Sequence, residues 1–223
     1  MSKLPHKRKK PRTGAASAAD SDSPRRKLCI SLEALEIARG HDGFLRGKPE
    51  PALLIAAYRT NGLLPASLVG RQLVRARLRT EIPCSVGLEE RELRYDARFA
   101  VTERILVLVF AVEENSGEGL TALYAAFESP AQLLIYSASE PEPSPLALDD
   151  WAQKACSAPC ACPVEVLFGG ATLEKITGSD QFIAASAFSV ATQVRADEAW
   201  RLPLVARDAR NDWTLLMRMR VVA

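Results

Sequence analysis

The sequence predicts an all-β fold, an antiparallel β-sandwich of about eight strands. Three observations carry that expectation. Apolar runs of strand length recur along the chain, the strongest being Ile105–Val112. Several other runs alternate apolar and polar side chains with the period of two shown by a half-buried strand. Segments bearing Gly, Pro, Asn and Asp separate these runs as turns. With 223 residues, 48% of them hydrophobic, the chain is long enough to bury a sizeable core.

Residues 1–26 are Lys, Arg, Pro, Ala, Ser and Asp with almost no large apolar side chains. Such a segment buries too little surface to offset the entropy of ordering, so a disordered basic tail is expected there. The folded body is expected over residues 27–223. Cys29–Glu36 reads as the first strand, with a short helix as the alternative because Leu and Glu are helix formers. An acidic loop, Gly40–Pro51, follows. Ala52–Tyr58 is a nearly continuous apolar run, the pattern of a strand buried on both faces.

Asn61-Gly62 marks a turn. In Leu73–Arg79 the alternation sends Val74, Ala76 and Leu78 to the core and Arg75, Arg77 and Arg79 to the other side. Leu93–Phe99 alternates again. Ile105–Val112 reads as a buried strand closing on a second acidic loop, Glu113–Gly119.

Residues 120–178 are less regular. Leu120–Phe127 reads as helix, Glu140–Pro145 as an extended linker, Leu146–Lys154 as a short helix burying Trp151, and Pro163–Leu167 as a strand. Phe182–Thr192, Ala199–Val205 and Trp213–Val222 complete the strands, with a turn at Asp208–Asp212. In the last strand Leu215, Met217, Met219 and Val221 share one face, and Leu216, Arg218 and Arg220 the other.

Charge is unevenly placed. Residues 1–27 carry +7 and the remainder −5, within a chain total of +2. A mildly acidic body with a basic arm is not the pattern of a nucleic-acid-binding domain, so no specific nucleic-acid partner is expected. The arm has no apolar segment after its charges, and no run reaches the roughly 18 apolar residues of a membrane span. A cytoplasmic protein is the expectation, and the Ala-, Arg- and Leu-rich usage fits a GC-rich bacterial genome. Five cysteines, an odd number in a reducing compartment, argue against a disulfide framework.

The order of motifs resembles a C2 domain. That family opens with a strand, an acidic loop and a Gly-x-Ser-Asp-Pro-Tyr-Val element. Gly47-Lys48-Pro49-Glu50-Pro51-Ala52-Leu53 sits in that place, with Glu for Asp. The family's Val-x-Asp-x-Asp loop after an apolar strand is similar to Glu113-Glu114-Asn115 after Ile105–Val112. An acidic residue before an Ile-Gly strand start is similar to Asp180-Gln181-Phe182-Ile183-Ala184, with Ala in place of Gly. The closing Trp-x-x-Leu element and strand are similar to Trp200–Leu204 and Trp213–Val222. The likeness covers residues 28–118 and 179–222 and leaves a partly helical insertion at about 119–178, far longer than an ordinary connection.

The resemblance implies calcium and phospholipid binding in many members, though not in all. Calcium takes six to eight oxygens at about 2.3–2.6 Å. The candidate ligands are Asp42, Glu50, Glu113, Asn115 and Asp180, against the plainer reading that they are solvated loop acids. Arg75, Arg77 and Arg79 are the candidate lipid or anion contacts, since Arg forks match phosphate geometry. The alternative is an exposed sheet face paired with Glu81, Glu89, Glu90 or Glu92.

The polybasic Lys7–Arg12 segment suits an anionic membrane or nucleic acid, or is a solubilising tail. Cys156, Cys160 and Cys162 form the sharpest local cluster, but with x₃ and x₁ spacings rather than paired zinc knuckles. Zinc would need a fourth ligand such as Cys29, Cys84 or His41; an incidental cysteine-rich loop and a redox role are the other readings. Trp151, Trp200 and Trp213 are expected in packing.

The chain has two histidines, His6 and His41, and carries no Walker loop, Gly-x-Gly-x-x-Gly or His-Glu-x-x-His motif. The expectation is a non-enzymatic C2-like module that docks on an anionic membrane surface or a protein partner, peripheral to the inner face of a membrane in the first case, with no cofactor or with calcium. A structural or protein-interaction subunit with degenerate calcium loops is the alternative, and a Cys-cluster zinc protein or enzyme a third.

Overall fold

The structure is a computed structural model that describes residues 26–39, 50–61, 65–76, 78, 82–88, 97–99, 103–137, 144–154, 162–190, 198–205 and 211–222. The basic tail, Asp42, His41, Arg77, Arg79, Cys156 and Cys160, together with the expected turns at Gly62 and Asp208, lie outside these residues.

Two antiparallel sheets pack together. The first has five strands: β12 (Glu198–Val205), β13 (Asp212–Val222), β1 (Arg26–Arg39) and β4 (Cys84–Gly87) in that order, with β5 (Ala97–Phe99) also pairing β1. The second has eight: β3 (Ser67–Arg75), β2 (Pro51–Thr60), β6 (Arg104–Glu113), β11 (Gln181–Val190), β9 (Cys162–Phe168), β7 (Leu133–Ser137) and β8 (Leu146–Ala147), with β10 (Ala171–Thr172) on β9. Three helices lie against the second sheet: α1 (Glu118–Ala126), α2 (Leu148–Lys154) and α3 (Leu173–Thr177).

The all-β sandwich expectation holds, but the strand count exceeds it, with thirteen strands described. The surplus comes from short pieces such as β4, β8 and β10, which are too brief to show a period. Within the region 119–178 the expected helices and the Pro163–Leu167 strand appear as α1, α2 and β9, and β7, β8 and β10 join them in the second sheet.

The continuous apolar runs of β2 and β6 follow from having a core on each side. Leu53, Ile55 and Ala57, with Ile105, Val107, Val109 and Ala111, face the five-stranded sheet. Ala52, Leu54, Ala56 and Tyr58, with Leu106, Leu108, Phe110 and Val112, face the helices. In the helix-side core Phe110 and Phe127 stack at 4.7 Å between ring centroids, and the buried Tyr58 hydroxyl donates to the Phe127 carbonyl at 3.2 Å. Each such fully buried Leu, Ile, Val or Phe contributes about 1.5–3 kcal/mol over leaving it exposed.

β1 resolves the strand-or-helix ambiguity. Leu28, Ile30 and Leu32 are buried at a period of two, then the phase slips and Leu35 and Ile37 are buried. The slip is a register shift between Leu32 and Ala34 against β13, with Glu33 as the extra residue. The break in alternation between Leu32 and Leu35 is therefore a bulge. Leu88 N–H donates to the Glu33 carbonyl at 2.8 Å from the chain after β4.

β13 has the expected faces. Leu215, Met217 and Met219 are buried, while Arg218 and Arg220 are exposed. β3 runs over Ser67–Arg75, so it begins and ends earlier than Leu73–Arg79. Val74 and Ala76 are nevertheless in the core and Leu78 packs against it. Trp151, Trp200 and Trp213 are all buried, and Trp200 packs on Phe188 at 5.2 Å.

Candidate functional site

The acidic end expected between β6 and β11 is organised around one side chain. Asp180 is 1% exposed and sits just before β11. Its Oδ1 accepts backbone N–H bonds from Asn115 at 2.8 Å, Ser116 at 2.7 Å and Gly117 at 3.1 Å. Its Oδ2 accepts the Leu120 N–H at 3.0 Å. Burial works to raise the Asp180 pKa, but the four backbone bonds outweigh it and pull the group down to about 2.

This carboxylate is the cap of α1. A helix start leaves backbone N–H groups without intrahelical partners. The N-cap residue here is Gly117, with φ 77, and it has no side chain to offer. The Ser116 hydroxyl takes the Glu118 N–H at 3.2 Å, and Asp180 takes that of Leu120. Negative charge at this end also suits the helix dipole. The rest of the junction is tied down too. Asn115 Nδ2 donates to the Ser179 carbonyl at 2.8 Å, and the Ser116 and Ser179 hydroxyls meet at 2.7 Å.

The structure thus brings Asn115 and Asp180 together, but through the Asn115 backbone rather than two side chains converging on an ion. Glu113, expected in the loop, is instead the last residue of β6 and is only 6% exposed. Glu50 is exposed, and its carbonyl accepts the Glu114 N–H at 2.9 Å. Among the described residues no group of three or more His, Cys, Asp or Glu converges as a metal site.

Arg75 is likewise engaged within the chain. Its Nε and Nη2 reach the two oxygens of Glu114 at 2.5 and 2.8 Å, a bidentate pair. Hydrogen bonding to Glu114 raises the Arg75 pKa, and burial opposes it. Glu114 is not among the glutamates that the sequence offered as partners. Arg71, four residues earlier on the same face of β3, was not singled out from sequence. Its guanidinium lies 3.9 Å over the Tyr124 ring and also bonds the Tyr124 carbonyl and Glu128. A cation at the last turn of α1 suits the carbonyl end of a helix. The missed signal was the i, i+4 repeat of arginines on one side of an edge strand.

Other charges on the outer face of the five-stranded sheet are paired across strands: Arg218 with Glu33 at 2.7 Å, Arg39 with Asp212 at 3.4 Å, and Arg201 with Glu36. Neither Cys29 nor Cys84 is in a disulfide, and Cys162 begins β9.

The second sheet is wider than the first, which leaves part of one face outside the sandwich. Ser186 pairs with Val109, a residue of the inter-sheet core, and on its other side with Pro163 of β9. Alternation places Pro163, Glu165 and Leu167 on that same face, and pairing extends it to Tyr136, Leu134, Ala147 and Thr172. The opposite side of these strands, with Val164, Val166, Leu133 and Ile135, is packed under the helices. Leu134, Tyr136 and Leu167 are half-buried and belong to neither core cluster. The rim of the first sheet ends beside this ledge at β12. The Ser186 hydroxyl donates to the Pro203 carbonyl there at 2.9 Å, and Pro203 itself has no N–H to offer.

No helix among the described residues is long and apolar enough to cross a membrane. No family model matches the chain, and no curated protein matches it either.

Proposed function

We propose that the chain is a non-enzymatic docking module of C2-like architecture that binds a protein partner without needing calcium. The observation that carries this reading is the ledge of Leu134, Tyr136 and Leu167, where β7 and β9 extend past the five-stranded sheet with an apolar face outside both cores. Half-buried aromatic and aliphatic groups beside polar ones such as Glu165 and Thr172 are the composition of an interface centre with its rim. The engagement of Asp180 with backbone N–H groups and of Arg75 with Glu114 supports independence from calcium and lipid phosphate.

The C2-like part of the reading rests on the order of motifs in the sequence. It is supported by the antiparallel pairing of β2 with β6 and of β6 with β11, which brings the Glu50 and Asp180 segments to the same end of the sheet, on either side of the end of β6. A second reading, docking on an anionic membrane, is favoured by the polybasic Lys7–Arg12 segment.

Cross-linking affinity capture with the full chain separates the two. The protein reading expects one discrete partner recovered by the wild type, lost by a Tyr136→Asp, Leu167→Asp double variant of unchanged melting temperature, and kept by an Arg220→Glu control. Retention of that partner by the ledge variant would sink the protein reading. Co-sedimentation with phosphatidylserine vesicles only when calcium is present would sink calcium independence.

A further inference from the structure

We draw no further inference here: the strongest candidate, the half-buried face that β7 and β9 present beyond the rim of the five-stranded sheet, belongs to the docking surface already described, and nothing in the structure shows what covers it.

Discussion

The Asp180 carboxylate accepts the Leu120 N–H at 3.0 Å across 60 residues of sequence, so α1 is capped by the residue just before β11. A helix usually finds its cap in the residue before it. Here the left-handed Gly117 occupies that place, and the cap arrives from beyond the segment that holds α1, α2 and α3.

Replacing Asp180 therefore tests the whole junction. Asp180→Asn keeps the shape but removes the charge and turns an NH₂ toward N–H donors. A loss of about 2–3 kcal/mol is expected, and Asp180→Ala, which strands all four donors, should cost more. Urea denaturation of the two variants beside wild type measures this. A loss under about 0.5 kcal/mol in both would show that the cap is incidental.

The pH dependence follows from the sign of the shift. Asp180 titrates at about 2 in the folded protein, below its ordinary value of 3.8. A depressed acid stabilises the fold above its unfolded pKa, and that contribution is lost as pH falls through the folded one. It amounts to about 2 kcal/mol at neutral pH. The stability gap between wild type and Asp180→Asn should be full at pH 6 and smaller at pH 3. A gap that widens on acidification would contradict this account.

Asp149 is the counter-case. Its Oδ2 accepts the Ala66 N–H at 2.6 Å, tying α2 to the chain before β3. Burial raises its pKa, and the backbone bond with Ala66 only partly offsets that. A raised acid costs stability when ionised, so its effect has the opposite sign: stability rises as pH falls through the elevated value. Asp149→Asn, which can still accept from Ala66, should be neutral or slightly stabilising at pH 7 by thermal melting. A loss as large as that of Asp180→Asn would overturn the assignment.

Helix α1 also packs on α3 with no room to spare. A Cβ placed on Gly119 would overlap the Thr177 carbonyl, whereas one placed on Gly87 meets nothing within 4 Å. Gly119→Ala should destabilise by about 2–3 kcal/mol through forced separation of the helices. Gly87→Ala should change stability by less than about 0.5 kcal/mol. Equal melting temperatures for the two variants would contradict the packing.

The two arginines of β3 should differ. The Arg75–Glu114 pair is solvent-accessible, and a double-mutant cycle is expected to return a coupling of about 0.2–1 kcal/mol, falling with salt. Arg71 combines an aromatic face, a helix-end carbonyl and Glu128, so Arg71→Ala should cost more than Arg75→Ala. Chemical denaturation at two salt concentrations measures both, and a larger loss at Arg75 would reverse the ranking.

The sandwich was legible where a strand carries a long apolar run or several turns of alternation. Ile105–Val112 could be read from its unbroken apolar run, and Trp213–Val222 from alternation at the spacing the pleat demands. β7 and β8 could not, since two to five residues hold too little pattern. β1 was ambiguous because its Leu and Glu residues are helix formers, and the bulge at Glu33 also interrupts the alternation that marks a strand.

The site was legible only as a list of acids. That Asp180 lies near Asn115 followed from the motif order. That its carboxylate would accept four backbone N–H bonds depended on where those groups point, which residue identity does not encode. Arg75 was placed on the correct side of its strand, but its partner came from a neighbouring loop that alternation does not see.

β2 and β6 are walls shared by two rooms. Every side chain along their middles belongs to one core or the other, with none left facing water. Stripping away the helical storey would bare Leu54, Tyr58, Leu106, Leu108 and Phe110 along one continuous greasy plane. Stripping away the smaller sheet would do the same on the reverse. The segment between Glu118 and Gly178 is thus a supporting storey, and neither it nor the sandwich beneath can be trimmed as if it were a loop.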